Sequence, residues 1–209
     1  IARRCFANAT LVIDRLHVQQ LATKALQEIR IKHRREALEA ENDAIDEARK
    51  NKGTYNPEIL SNGDTLKQLL ARSRYLLYKH EQNWTPDQSK RAAILFERYP
   101  DIKKAYDLTQ NLAWIFTNTT DKVYAYTRLA KWHEKVEQAG FKAFNTISRT
   151  ITNHYIRILN YFNNKSTVIF AEDYAMTDEI NKAFQAQKPI MIKKGTYDLS
   201  YNYGKFTIE

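Results

Sequence analysis

The sequence predicts a mainly α-helical fold, with one short strand near its start and a β-type stretch at its end. Three observations carry that prediction. Apolar residues recur at three- and four-residue spacing through most of the chain, as they do on one face of a helix. Glycine and proline number only 5 and 4 among 209 residues, which disfavours loop-rich and all-β sandwich folds. Hydrophobic residues make up 43%, enough for a sizeable core and too many for a disordered chain.

Residues 9–14 read Ala-Thr-Leu-Val-Ile-Asp, a short apolar run that predicts a buried strand with Asp14 at its end. The period then switches. Val18, Leu21, Ala22, Ala25, Leu26 and Ile29 share one helix face, and the helix is expected to run to about Lys50. Turn residues make 51–63 a linker. A helix follows with Asp64 as its expected N-cap, and Leu66, Leu69, Leu70, Leu76 and Leu77 form its apolar face. Thr85-Pro86-Asp87-Gln88 has the pattern of a capping box with proline in the first turn. Pro100 opens a helix carrying Ile102, Tyr106, Leu112, Ile115 and Phe116. The next, over 121–138, is expected to turn Val123, Tyr126, Leu129 and Val136 inward, and Gly140 ends it. A long helix over 141–162 would present Phe144, Ile147, Ile151, Tyr155, Ile158, Leu159 and Phe162. Residues 189–209 have β character.

Charge is unevenly placed. Lys and Arg total 33 against 24 Asp and Glu, a net of +9. Residues 1–35 hold eight bases and two acids, while 36–58 hold seven acids and three bases. A basic block followed by an acidic one reads either as solvated helix surface or as a phosphate-contacting segment. Arg30, Lys32, Arg34 and Arg35 are the foremost phosphate-contact candidates, with Arg72 and Arg74 behind them. Trp84, in a polar stretch before a helix start, reads as a staple onto that helix or as a base-stacking ring.

Several chemistries lack their residues. The sequence has no Gly-rich phosphate loop, no Cys/His cluster of metal-ligand spacing and no Gly-x-Ser-x-Gly elbow. The single cysteine, Cys5, excludes an internal disulfide framework and points to a reducing compartment. No apolar run reaches the roughly 18 residues of a membrane-spanning helix, so no membrane partner is expected. What rises above background is Asp14 at a strand end. Carboxylates at that position hold metal ions in open α/β folds, but two-metal phosphoryl chemistry needs further carboxylates from other elements.

The order of motifs resembles a known family. Asp14-Arg15-Leu16-His17-Val18 before a basic helix is similar to the Asp-x-Phe-His-Val signature of the ISL-three-type insertion-sequence transposases, of the DDE group. The resemblance continues through residues 66–77, 105–108 and 132–136, and is closest over Ala143-Phe144-Asn145-Thr146-Ile147 and 156–167. It implies a partial RNase H-like α/β core with a large all-helical insertion. Residues 1–50 would be the strand and basic helix of that core, 51–140 the insertion, 141–172 the long helix leading to the third acid, and 173–209 a divergent tail. It also implies DNA transposition by metal-dependent strand cleavage and transfer. Asp14 matches the second catalytic acid and Glu172 the third, both as ligands of Mg²⁺ or Mn²⁺, with Glu179 a rival to Glu172. Transposon-end DNA is the implied partner, a homo-oligomer the implied assembly, and the nucleoid of the bacterial cytoplasm the implied location.

The sequence departs from the family at three places. No acid precedes Asp14, where the family's first catalytic Asp lies on an earlier strand. Val168-Ile169 replaces the family's Asn-Ala before the Glu, and Ala175 replaces a later Asn. The tail does not continue the family's basic helix. These departures lead us to expect an incomplete or inactive fragment. They also keep open a non-catalytic helical module that binds DNA or protein.

Overall fold

A computed structural model describes residues 11–163 and the backbone of three short strands after them. The described chain is mainly helical. Its helices are α1 (Arg15–Lys50), α2 (Leu66–Arg72), α3 (Pro86–Arg98), α4 (Pro100–Asn118), α5 (Lys122–Ala139), α6 (Lys142–Asn153) and α7 (Tyr155–Asn163). Two 3-10 turns, Leu76–Tyr78 and Glu81–Asn83, link α2 to α3. The strands β1 (Ile190–Lys194), β2 (Tyr197–Asn202) and β3 (Lys205–Ile208) pair antiparallel in that order.

The chain forms two compact units. One contains residues 19–114 and 131–148, the other residues 1–18, 115–130 and 149–209. In the unit built on 19–114, α1 buries Ala22, Ala25 and Leu26. Leu69, Leu70, Leu76, Leu77, Leu95, Ile102, Tyr106 and Trp132 are almost wholly buried with them. Two polar tips in this core find backbone partners: the Trp132 indole donates to the Leu108 carbonyl at 2.9 Å, and the Tyr106 hydroxyl to the Lys79 carbonyl at 2.8 Å. Burial raises the Tyr106 phenol above its ordinary range. Trp84 donates to the Leu76 carbonyl at 2.8 Å, and its ring lies 5.5 Å from Tyr106 and 6.1 Å from Phe96. Of its two readings, packing holds.

The helix starts expected from local chemistry are present. Thr85 caps α3, with Gln88 completing the capping box. At α2 the cap is one residue later than expected. Thr65, with Gln68, makes the box, while Asp64 turns inward. Asp64 is 1% exposed and accepts from Arg91 Nε at 2.8 Å and from Arg72. The sequence could not separate two adjacent cap-forming residues, and two distant arginines decided between them.

In the other unit, Phe116 packs 5.2 Å from Phe162 and 5.6 Å from Tyr161. Ile151, Ile158 and Leu159 are buried in the same unit. The expected helix over 141–162 is two helices, α6 and α7, broken at His154. Backbone bonds still bridge the break, from His154 N–H to Thr150 and from Ile158 N–H to His154. Six of the seven expected inward residues are therefore still buried on the intended face, Phe144, Ile147, Ile151, Ile158, Leu159 and Phe162, with Tyr155 the exception. Along α5 the expected face is corrected. Val123 and Tyr126 are exposed, and the buried line is Ala125, Leu129, Trp132 and Val136. Asp121 caps α5 by accepting from the Val123 and Tyr124 N–H groups, which sets the first turn outward.

The strand expected over 9–14 is also corrected where it is described. Residues 11–14 form no strand. They run instead beside α7: Ile13 N–H donates to the Arg157 carbonyl at 3.1 Å, and Asn160 donates to the Leu11 carbonyl at 3.0 Å. A run of β-branched residues fits extended backbone generally, and a helix supplied the partners here. Residues 9 and 10 lie outside the described residues.

Candidate functional site

Two features of the described chain bear on function: a carboxylate at the start of α1 and a cluster of cations farther along it. Asp14 directly precedes α1. Its Oδ1 accepts from the His17 backbone N–H at 3.1 Å and meets His17 Nδ1 at 3.0 Å. The first turn of a helix offers unpaired N–H groups and a partial positive charge, so a carboxylate there is held locally. Val12, two residues earlier, is 3% exposed and anchors the approach. The Asp14 side chain stays about one-third exposed, at 35%.

A hard, partly exposed carboxylate is a suitable donor for a divalent cation. One carboxylate is not a two-metal site, and among the described residues no group of three His, Cys, Asp or Glu side chains could hold a metal. Glu172 and Glu179 lie outside the described residues.

The cations sort by burial. Arg30 is 4% exposed and donates to Gln27 Oε1 at 2.6 Å and to the Leu70 carbonyl at 2.7 Å. Gln27 in turn donates to the Arg74 carbonyl at 3.2 Å. Burial, and then the charges of Arg34 and Arg74, hold the Arg30 guanidinium below its ordinary value. Arg30 thus ties α1 to the end of α2 rather than standing ready for phosphate, a correction to its reading as a surface contact. Sequence placed it in a basic run, and the run wraps around the helix. Arg72 reaches Asp64, so its charge already has a partner.

Lys32, Arg34, Arg35 and Arg74 are exposed. Arg74 lies over the Tyr75 ring, 5.5 Å from its centre, and Tyr75 and Tyr78 are 68% and 54% exposed. Gln27, one turn before Arg30 on α1, donates to the Arg74 carbonyl, and Arg34 lies one turn after Arg30, so this stretch of α1 runs beside the Arg74 segment. The structure therefore brings together two exposed cations from separate segments, with two exposed aromatic rings beside them. Backbone phosphates and unstacked bases are recognised by that combination. Tyr75 and Tyr78 escaped the sequence reading. Their signal was two tyrosines flanking buried Leu76 and Leu77, out of phase with the apolar face.

No helix among the described residues is long and apolar enough to cross a membrane. In comparisons with known proteins, a family model described as a transposase, of the ISL-three DDE type, matches residues 1–188. No curated protein matches the chain, and no solved structure does.

Proposed function

The chain belongs to the ISL-three-type DDE transposase family, and on that premise we propose that it carries part of a transposase catalytic region whose helices hold DNA. The observation that carries the DNA-binding part is the exposed cluster of Arg34 and Arg74 beside Tyr75 and Tyr78. Lys32 and Arg35 extend the positive surface along α1. These groups neutralise backbone phosphates without reading sequence, and the rings stack on any base that is unpaired.

On this reading the expected division stands as a proposal. Residues 1–50 supply one edge of an RNase H-like core, 51–140 its helical insertion, 141–172 the approach to the last acid, and 173–209 a divergent tail. Asp14 and Glu172 would hold Mg²⁺ or Mn²⁺, with a further acid from outside this set. When bound, the ions supply Lewis-acid activation at a phosphodiester and lower the pKa of an attacking hydroxyl. This chain's own residues contribute position. The α1 N-terminus and His17 orient the Asp14 carboxylate, and the cationic cluster holds the duplex. Transposon ends, a multimeric assembly and a nucleoid location belong to the same proposal.

The test is DNA binding by the full chain, read by fluorescence anisotropy on generic duplex across a salt series. Affinity is expected to fall steeply with salt. Arg34→Ala and Arg74→Ala are each expected to reduce the salt slope by about one. A salt-independent affinity, or one indifferent to both changes, rejects the interface. In a catalytically complete transposase of this family, Asp14→Asn is expected to abolish Mn²⁺-dependent strand transfer while duplex binding persists. Retained transfer would remove Asp14 from the catalytic set.

A second reading, a helical binding module without catalysis, is favoured by the use of Asp14 Oδ1 as a helix cap. It predicts duplex binding with no Mn²⁺-dependent cleavage by the chain itself, and cleavage would overturn it.

A further inference from the structure

We propose that the second half of α1 is a self-association surface on which a second copy of the chain lies antiparallel. The inference deepens the multimeric assembly of the proposed function and shares Lys32 with the candidate phosphate surface, but it does not require DNA binding. No residue of α1 beyond Arg30 is buried, although the helix continues for 20 residues more. Ile31, Leu38 and Ile45 recur there at a strict spacing of seven, and all three are at least partly exposed. Ile31 is 36% exposed. A seven-residue apolar repeat keeps facing a neighbouring helix when the two wind around each other. The repeat spans 14 residues, about 21 Å of helix.

The charge pattern chooses both the partner and its direction. Residues 32–35 carry three cations and no acid, and residues 39–47 carry five acids and no base. A parallel pair of such helices would set cation block against cation block. An antiparallel pair centred on Leu38 sets each basic block along the other copy's acidic block. Ile31 then meets Ile45 of the second copy, and Lys32 falls beside Asp46, twice by symmetry. At present Lys32 pairs with Glu36 at 3.7 Å and Asp46 with Arg49 at 3.3 Å. Both are exposed contacts within one helix, worth little and readily exchanged.

The mass of the full chain, measured by light scattering over a concentration series, tests the proposal. A monomer–dimer equilibrium is expected. Leu38→Lys should shift it to monomer while helicity by circular dichroism is unchanged. Lys32→Asp and Asp46→Lys should each weaken the dimer about tenfold or more, and combining them should restore it. In a Cys5→Ser background, Ile31→Cys mixed with Ile45→Cys should cross-link under oxidation, and neither should cross-link alone. A chain monomeric at every concentration overturns the proposal, as does a dimer indifferent to Leu38→Lys and to charge reversal. Self-linking of Ile31→Cys would mean parallel pairing and would overturn it too. Asp46 lies outside the candidate phosphate patch, so Asp46→Lys is expected to retain duplex binding. A failure here is thereby distinguishable from a failure of the DNA reading.

Discussion

The two halves of α1 share one uninterrupted helix and are held by different forces. From Arg15 to Arg30 it buries Val18, Ala22, Ala25, Leu26, Gln27 and Arg30. From Ile31 to Lys50 no residue is fully buried, although one face, with Ala37, Leu38, Glu41, Ala44 and Ile45, is partly covered. The first half stands on tertiary packing, with even its polar residues bonded to the end of α2. The second half stands on helix-forming residues, one contact from Lys67 to Glu41 at 2.7 Å and a bridge from His33 to Asp101 at 2.5 Å. A helix can therefore be continuous in its hydrogen bonds and discontinuous in what it costs to disturb. On the reading proposed above, Lys32, Arg34 and Arg35 meet a partner from this less constrained half, where they are exposed.

Substitution should separate the halves. Leu26→Ala removes a side chain with no exposure and is expected to cost about 2–5 kcal/mol, read by chemical denaturation. Ala40→Gly, on the open half, is expected to cost only about 1 kcal/mol, the helix propensity difference. Equal effects would erase the contrast.

Asp64 sharpens the same lesson for charge. Burial pushes its carboxyl up, but hydrogen bonds from Arg91 and then Arg72 outweigh that and hold it below the usual carboxylate range. A depressed folded-state value means stability that is present at neutral pH and lost as pH falls through and below about 4. Asp64→Asn is expected to lower stability at pH 7 by about 2 kcal/mol, since Arg91 loses its partner while Arg72 is half exposed. It should also flatten the acid limb of the stability–pH profile, and an unchanged limb would assign that limb to other groups. The smallest effect belongs to the open half. Glu36→Gln, which weakens contacts to Lys32 at 3.7 Å and to His33 Nδ1 at 3.0 Å while Glu36 itself is half exposed, is expected to shift stability by no more than about 1 kcal/mol.

Helix ends and helix faces were legible in the sequence where the cause is local. The capping boxes at Thr65–Gln68 and Thr85–Gln88 involve groups three residues apart, and α1 reaches Lys50 because nothing within it breaks a helix. The apolar line from Phe144 to Phe162 survives a break because backbone bonds keep its phase. The candidate site was legible only in part. Arg34, Arg35 and Arg74 were found as exposed cations, while the sequence could not tell them from Arg30, which lies in the same run.

What the sequence determined by itself is therefore a helical chain of a recognisable transposase family, with its caps and most of its inward faces. Only the tertiary structure decided that Asp64 turns inward to two arginines, that Arg30 is buried, that Val123 and Tyr126 face outward, and that residues 11–13 lie along α7 instead of forming a strand. The reason is range. Caps and helical phase are set within a turn or two, whereas burial and pairing depend on groups up to 149 positions away, such as Leu11 and Asn160.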